Sequence, residues 1–186
     1  NPLKALWNMR DAYFTALGTS SSAATIPVTL ASTKKNGVTD AVAGFVVPLC
    51  ATIHLSGSMV KITCFSIAVL LLSGGDVSFA SYFPFILMLG VMMIAAPGVP
   101  GGAIAAAAGL LVQMLGFCCI EVGLMFAAFF ALDSFGTATN VTGDGALAMI
   151  VNKLTRGKLG SQAQDESDED IDPLEGEVVA QHALPQ

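Results

Sequence analysis

Apolar positions dominate residues 1–158, and short polar or Pro/Gly interruptions divide them into helix-length pieces. Residues 1–18 mix apolar positions with Lys4, Arg10 and Asp11 and predict an amphipathic helix, ended by Gly18-Thr19-Ser20-Ser21-Ser22. A second helix over 23–33 follows, with Pro27 near its start, where proline is tolerated. The two make a helical hairpin over about 1–33 with a serine-rich tip, followed by the polar loop Lys34-Lys35-Asn36-Gly37. Residues 41–72 form a long apolar segment interrupted at His54-Leu55-Ser56-Gly57-Ser58. At ~1.5 Å per residue it outruns a bilayer core of ~30 Å, so the interruption predicts a broken helix. Residues 82–116 repeat the hairpin pattern around a Pro97-Gly98-Val99-Pro100-Gly101-Gly102 tip, where no regular helix can run. One long last helix is expected over about 119–156.

Composition turns this pattern into a class. The chain is 54% hydrophobic and 12% charged, whereas soluble domains carry ~25% charge. Apolar runs of helix length without strand-like alternation predict an all-α integral membrane protein rather than a barrel. The net charge of −6 is local. Residues 1–160 hold eight basic and six acidic residues, a balance of +2, and residues 161–186 hold eight acids and no Lys or Arg. The acidity therefore belongs to a tail, 159–186, expected to be disordered and cytoplasmic, with His182 as a solvated residue. Lys34 and Lys35 precede the first long apolar segment, and Lys153, Arg156 and Lys158 follow the last. The positive-inside rule then puts both basic groups and the C-terminus in the cytoplasm, which makes both hairpins re-entrant. Such tips are tolerable only inside protein or a wet cavity. Cys50, Cys64, Cys118 and Cys119 fit no zinc spacing and read as small packing residues.

The chemistry concentrates in FALDSFGTATNVTGD, residues 130–144. At ~100° per residue, Asp133, Thr137, Asn140 and Asp144 fall within about 60° of one another on one helical face. Two acids inside a membrane helix are costly unless they face protein, water or a cation. Carboxylate, amide and hydroxyl oxygens suit an amino group or Na⁺. Interrupted apolar segments at corresponding places in two halves point to a transporter's binding site. A channel would need a pore-lining ring. An enzyme built on His54 and Ser56 would lack an orienting acid. Neither reading fits the last-helix face as well, and no nucleic-acid-binding feature is present.

Four motifs in this order resemble the dicarboxylate/amino acid:cation symporter family, the glutamate transporter homologues. They are SSSAATIPVT (20–29), ATIHLSGS (51–58, where the family usually has ATINMDGT), PGVPGG (97–102) and TNVTGD (139–144). The resemblance runs over about 1–158. It implies the C-terminal part of the transport domain of an elevator-type, usually homotrimeric transporter of the plasma (inner) membrane. The scaffold helices would then lie outside this stretch, and the chain would be a fragment. By resemblance, Asp133 holds the substrate ammonium, while Thr137, Asn140, Ser22 and backbone at Ser21 and Val99 lie near its α-carboxylate. Asp144, with Asn140 and backbone at Cys50, matches one Na⁺ site. Carbonyls at Thr52, Met93, Ile94 and Ala96 match a second.

Three departures shape the substrate and ion expectations. Gly136 stands where acidic-substrate members have an arginine, and Phe129 where an acid usually supports it. His54 and Ser56 stand where the family has an asparagine and an aspartate. Lys61 lies mid-membrane, where a lysine costs ~2.5–3.5 kcal/mol without a partner. The expected function is therefore symport of an amino acid or small carboxylate with Na⁺, H⁺ or both, without another cofactor. A neutral substrate is expected, and His54, Ser56 and Lys61 are candidates for altered coupling. The alternatives are a sodium-coupled dicarboxylate/glutamate symporter and a degenerate member that does not transport.

Overall fold

The computed structural model describes residues 1–156. All regular structure among them is helical: α1 (Pro2–Asn8), α2 (Arg10–Thr19), α3 (Ser22–Lys34), α4 (Asp40–Ile53), α5 (Ser56–Leu72), α6 (Phe79–Ala95), α7 (Gly102–Leu115), α8 (Cys119–Ala131) and α9 (Asp133–Thr155). Residues Asn1–Val151 fold as one unit. The expected acidic tail lies outside the described residues.

Within the two segments read as hairpins, α2 packs on α3 and α6 on α7. The first turns at Ser20, which adopts a left-handed φ of 49°. Ser21 then caps α3, its hydroxyl accepting the N–H of Ala24 at 3.2 Å, which satisfies one of the free donors of a helix start. The second turns through Gly101, at φ +73°, a conformation that costs glycine nothing. The broken helix is also present: α4 ends at Ile53, α5 begins at Ser56, and together they run over Asp40–Leu72.

Three boundaries differ from the sequence expectation. The first helix is split at Met9, which turns at ψ −4° and is buried with its side chain against Gly145. Asn8 there bonds Asn36 Oδ1 at 2.8 Å, tying the split to the loop after α3. Pro27 lies inside α3 rather than at its start. The last helix is not continuous: α8 and α9 meet at Leu132 with a bend of 63°. No proline marks that bend, and the Lys61 ammonium lies against its carbonyls.

Burial fits a membrane setting. The Asp40–Leu72 path is long and apolar enough to cross a bilayer, and 28% of its most apolar window is buried. The core helix of a soluble protein would be mostly covered. The bent α8–α9 pair passes the same test if taken as one span, while α6 and α7 are apolar but shorter. The main core gathers Ile62, Phe85, Leu89, Ile104, Leu111 and Met125 from α5 to α8. A second joins Val42, Val46 and Val47 of α4 to Ala148 of α9. Cys50 is buried, as expected of a packing residue, but Cys64, Cys118 and Cys119 are exposed. The difference arises because Cys118 and Cys119 start α8, where Glu121 accepts the Cys118 N–H at 2.8 Å.

Candidate functional site

The polar face of α9 turns inward. Asp133, Thr137, Asn140 and Asp144 are all buried, each facing a different neighbour. Asp133 opens α9, where a carboxylate is favoured by the helix dipole. Its Oδ2 accepts the N–H of Gly101 at 2.9 Å, tethering the α6–α7 tip. Its Oδ1 lies 3.0 Å from Lys61 Nζ, and both side chains are under 10% exposed. The acidic partner expected for Lys61 is thus Asp133. Lys61 Nζ also donates to the carbonyls of Leu132 at 3.3 Å and Phe129 at 3.4 Å, and sits 3.4 Å above the Phe129 ring. A Cβ on Gly136 would meet that ammonium at 3.1 Å.

Further along, Asn140 braces the α4–α5 break. Its Oδ1 accepts the N–H of Gly57 at 2.7 Å, and its Nδ2 donates to Ser58 Oγ at 3.2 Å. Thr137 returns its hydroxyl to the Asp133 carbonyl at 3.1 Å. Asp144 is fully buried and takes Nδ1 of His54 at 2.8 Å on Oδ1. Its Oδ2 is buried without a protein partner. A buried carboxylate oxygen without a protein partner is a hard donor of the kind Na⁺ takes, so this residue fits the ion. Ser56 is exposed, on a cleft of about 440 Å³ shared with Lys61 and Gly136.

The two hairpin tips meet over this face. The carbonyl of Gly98 accepts Ser21 Oγ at 3.1 Å and the N–H of Ala23 at 3.2 Å. Gly98 also presses on the end of α4, where any Cβ would overlap the Ala51 carbonyl. Ser22, Pro97, Val99, Phe129, Asp133, Thr137 and Asn140 line what remains, about 10 Å³, the room of one water. The site is therefore closed. Ser21 and Ser22 are buried, whereas Val99 and Ile94 are half exposed. Of the backbone positions expected around Na⁺, the Cys50 carbonyl takes the His54 N–H at 2.8 Å and the Met93 carbonyl takes the Ala96 N–H at 3.4 Å. Ala96 is buried and Thr52 is exposed. Among the described residues, no group of three His, Cys, Asp or Glu side chains could hold a metal ion.

Sequence reasoning missed the His54–Asp144 contact, the Ser58 bond to Asn140 and the role of Gly98. The first two join residues 90 and 82 positions apart, and no local periodicity reports such a pairing. Gly98 stood inside the tip motif, where its Pro/Gly surroundings hid its separate duty.

Known proteins resemble this chain over nearly all of the described residues. The pattern of the sodium:dicarboxylate symporter family matches residues 1–154. Excitatory amino acid transporter 1 of Rattus norvegicus is 31% identical over 160 residues, 86% of this chain and 29% of that protein. Excitatory amino acid transporter 3 of Mus musculus is 32% identical over 86% of this chain and 30% of its own length. Excitatory amino acid transporter 1 of Ambystoma tigrinum is 31% identical over 162 residues, 87% of this chain and 30% of its own. The chain thus spans about 30% of the length of these relatives.

Proposed function

Because this chain belongs to the sodium:dicarboxylate symporter family, we propose that it works in secondary transport, moving an acidic amino acid across a membrane together with Na⁺. The observation that carries the substrate is the place of Lys61 Nζ, 3.0 Å from Asp133 and 3.1 Å from a Cβ on Gly136. The expectation of a neutral substrate rested on Gly136 and Phe129 standing where acidic-substrate members have an arginine and its supporting acid, with Lys61 the nearby cation able to undo it. Lys61 supplies that charge from α5, and the names of the relatives speak for the same alternative. An acidic amino acid inserts between the partners of the ion pair. Its ammonium takes Asp133, its side-chain carboxylate takes Lys61, and its α-carboxylate meets the hydroxyls and N–H groups at Ser22 and the tips. A neutral amino acid would leave the Lys61 ammonium buried without an anion, a penalty larger than the hydrogen bonds it could form there would offset.

Na⁺ belongs at Asp144, whose Oδ2 has no protein partner among the described residues. An ion buried near the substrate makes each binding favour the other. The membrane is the plasma membrane with the C-terminus inside, and the assembly a trimer of elevator type with re-entrant hairpins. The test is competition for uptake by the complete gene product in liposomes. Aspartate or glutamate should outcompete alanine and serine. Lys61→Met should weaken the acidic substrates by about 10- to 150-fold, the worth of a charge-assisted hydrogen bond, and leave neutral ones within a few-fold. Neutral amino acids outcompeting acidic ones in the wild type would return the neutral reading to first place. Transport without any Na⁺ dependence would remove the ion.

A further inference from the structure

The bend between α8 and α9 is itself a binding site of recognisable chemistry. The last carbonyls of a helix carry partial negative charge, and that of Phe129, which accepts the Leu132 N–H at 3.2 Å, keeps a second lone pair for another donor. Here the carbonyls of Phe129 and Leu132, the carboxylate Oδ1 of Asp133 and the face of the Phe129 ring converge on one point, 3.0–3.4 Å away. That point holds the Lys61 ammonium. One carboxylate, two carbonyls and an aromatic face make a site for a single positive charge. The set lacks the sulfur or imidazole that a transition metal prefers. With a single carboxylate it balances one positive charge rather than two, and its 3.0–3.4 Å spacing about Nζ is that of an ammonium, so it fits ammonium or an alkali ion of like size.

We infer that the α8–α9 bend is a monovalent-cation site and that Lys61 is its resident, covalently tethered cation. Gly136 is the residue that leaves room for it, since a Cβ there would crowd Nζ and Cε at 3.1 and 3.3 Å. The tether means that no mobile ion is needed at the bend for charge balance while the site is empty of substrate. With the ammonium removed, K⁺, Rb⁺ or a small alkylammonium takes its place. This holds whether or not the substrate is acidic, because it concerns the substrate-free molecule.

The complete gene product is purified without substrate as wild type, Lys61→Ala and Lys61→Met. Thermal unfolding is followed while choline chloride is replaced by KCl, RbCl or methylammonium chloride at constant ionic strength. Lys61→Ala should gain about 3 °C or more, with saturation, on at least one of these cations. The wild type should shift by under about 1 °C, and Lys61→Met, whose side chain fills the space, should follow the wild type. Equal shifts in all three proteins, or no shift in a folded Lys61→Ala, would overturn the inference. Should Lys61→Ala not fold in choline, its recovery as a monodisperse protein in K⁺ or methylammonium supports the site, and failure in both overturns it.

Discussion

At the scale of residues, one ion pair decides most of the chemistry. Lys61 and Asp133 are both largely excluded from water, and removing one member of such a pair costs about 3–5 kcal/mol because the other charge is stranded. Asp133→Asn should therefore destabilise the protein by that order in choline buffer. The double variant Lys61→Met/Asp133→Asn should recover at least about 1 kcal/mol relative to the sum of the singles. A double-mutant cycle from denaturant or thermal unfolding checks it, and additive losses would mean the contact is not energetically coupled. Uptake of acidic amino acids should fall in the double variant and in both singles, as the proposed binding mode has each group meet the substrate. An acid or water beside Lys61 was to be expected from the sequence, because a lone membrane lysine is costly. Which acid could not be read there, since Asp133 lies 72 residues away. His54 could likewise be placed in the break but not against Asp144, because that choice depends on how α4 ends relative to α9.

At the scale of elements, the breaks matter more than the helices. The hairpins and the interruption of 41–72 were legible because Pro, Gly and Ser clusters cannot continue a helix. The buried face of α9 was legible because four polar residues repeat at helical spacing in an apolar stretch. The 63° bend at Leu132 was not legible: residues 119–132 contain no proline, and the Lys61 ammonium that meets the Phe129 and Leu132 carbonyls comes from α5, 68 and 71 residues away. The same holds at Met9, whose turn is fixed by burial against Gly145. Close approaches of backbone are likewise invisible in sequence. Gly98→Ala is expected to push the α6–α7 tip off the Ala51 carbonyl and lower uptake at least tenfold. Gly109→Ala, with open space around it, should leave uptake unchanged. Reactivity of a cysteine placed at Val99 toward a soluble thiol reagent should rise in the Gly98→Ala background. Unchanged uptake and reactivity would show that the tip does not need that contact.

For the whole molecule, the surface is as informative as the site. Phe45 of α4 is 70% exposed and Leu72 of α5 is 81% exposed, so these side chains belong against lipid or a packed partner rather than water. Phe45→Asp would be near neutral on a water-facing helix, but in an apolar setting it should cost up to about 3 kcal/mol. The fraction of protein resisting alkaline extraction from membranes, compared with wild type, measures it; no change would place Phe45 in water. Besides the Asp133 tether on Gly101, closure of the site has one contact common to both hairpins. Both hairpin tips hang on the same backbone oxygen, that of Gly98, through one side-chain donor and one main-chain donor. Whichever tip lifts first, both bonds break at once, so the barrier to opening is common to the two sides of the site. At ~0.5–1.5 kcal/mol each, the two bonds make the open form roughly 5- to 150-fold rarer. A carbonyl cannot be mutated away, and the Ala23 N–H is main chain as well. Ser21, on the Gly98 carbonyl, and Asp133, on the Gly101 N–H, are then the side chains whose substitution sets how long the site stays shut.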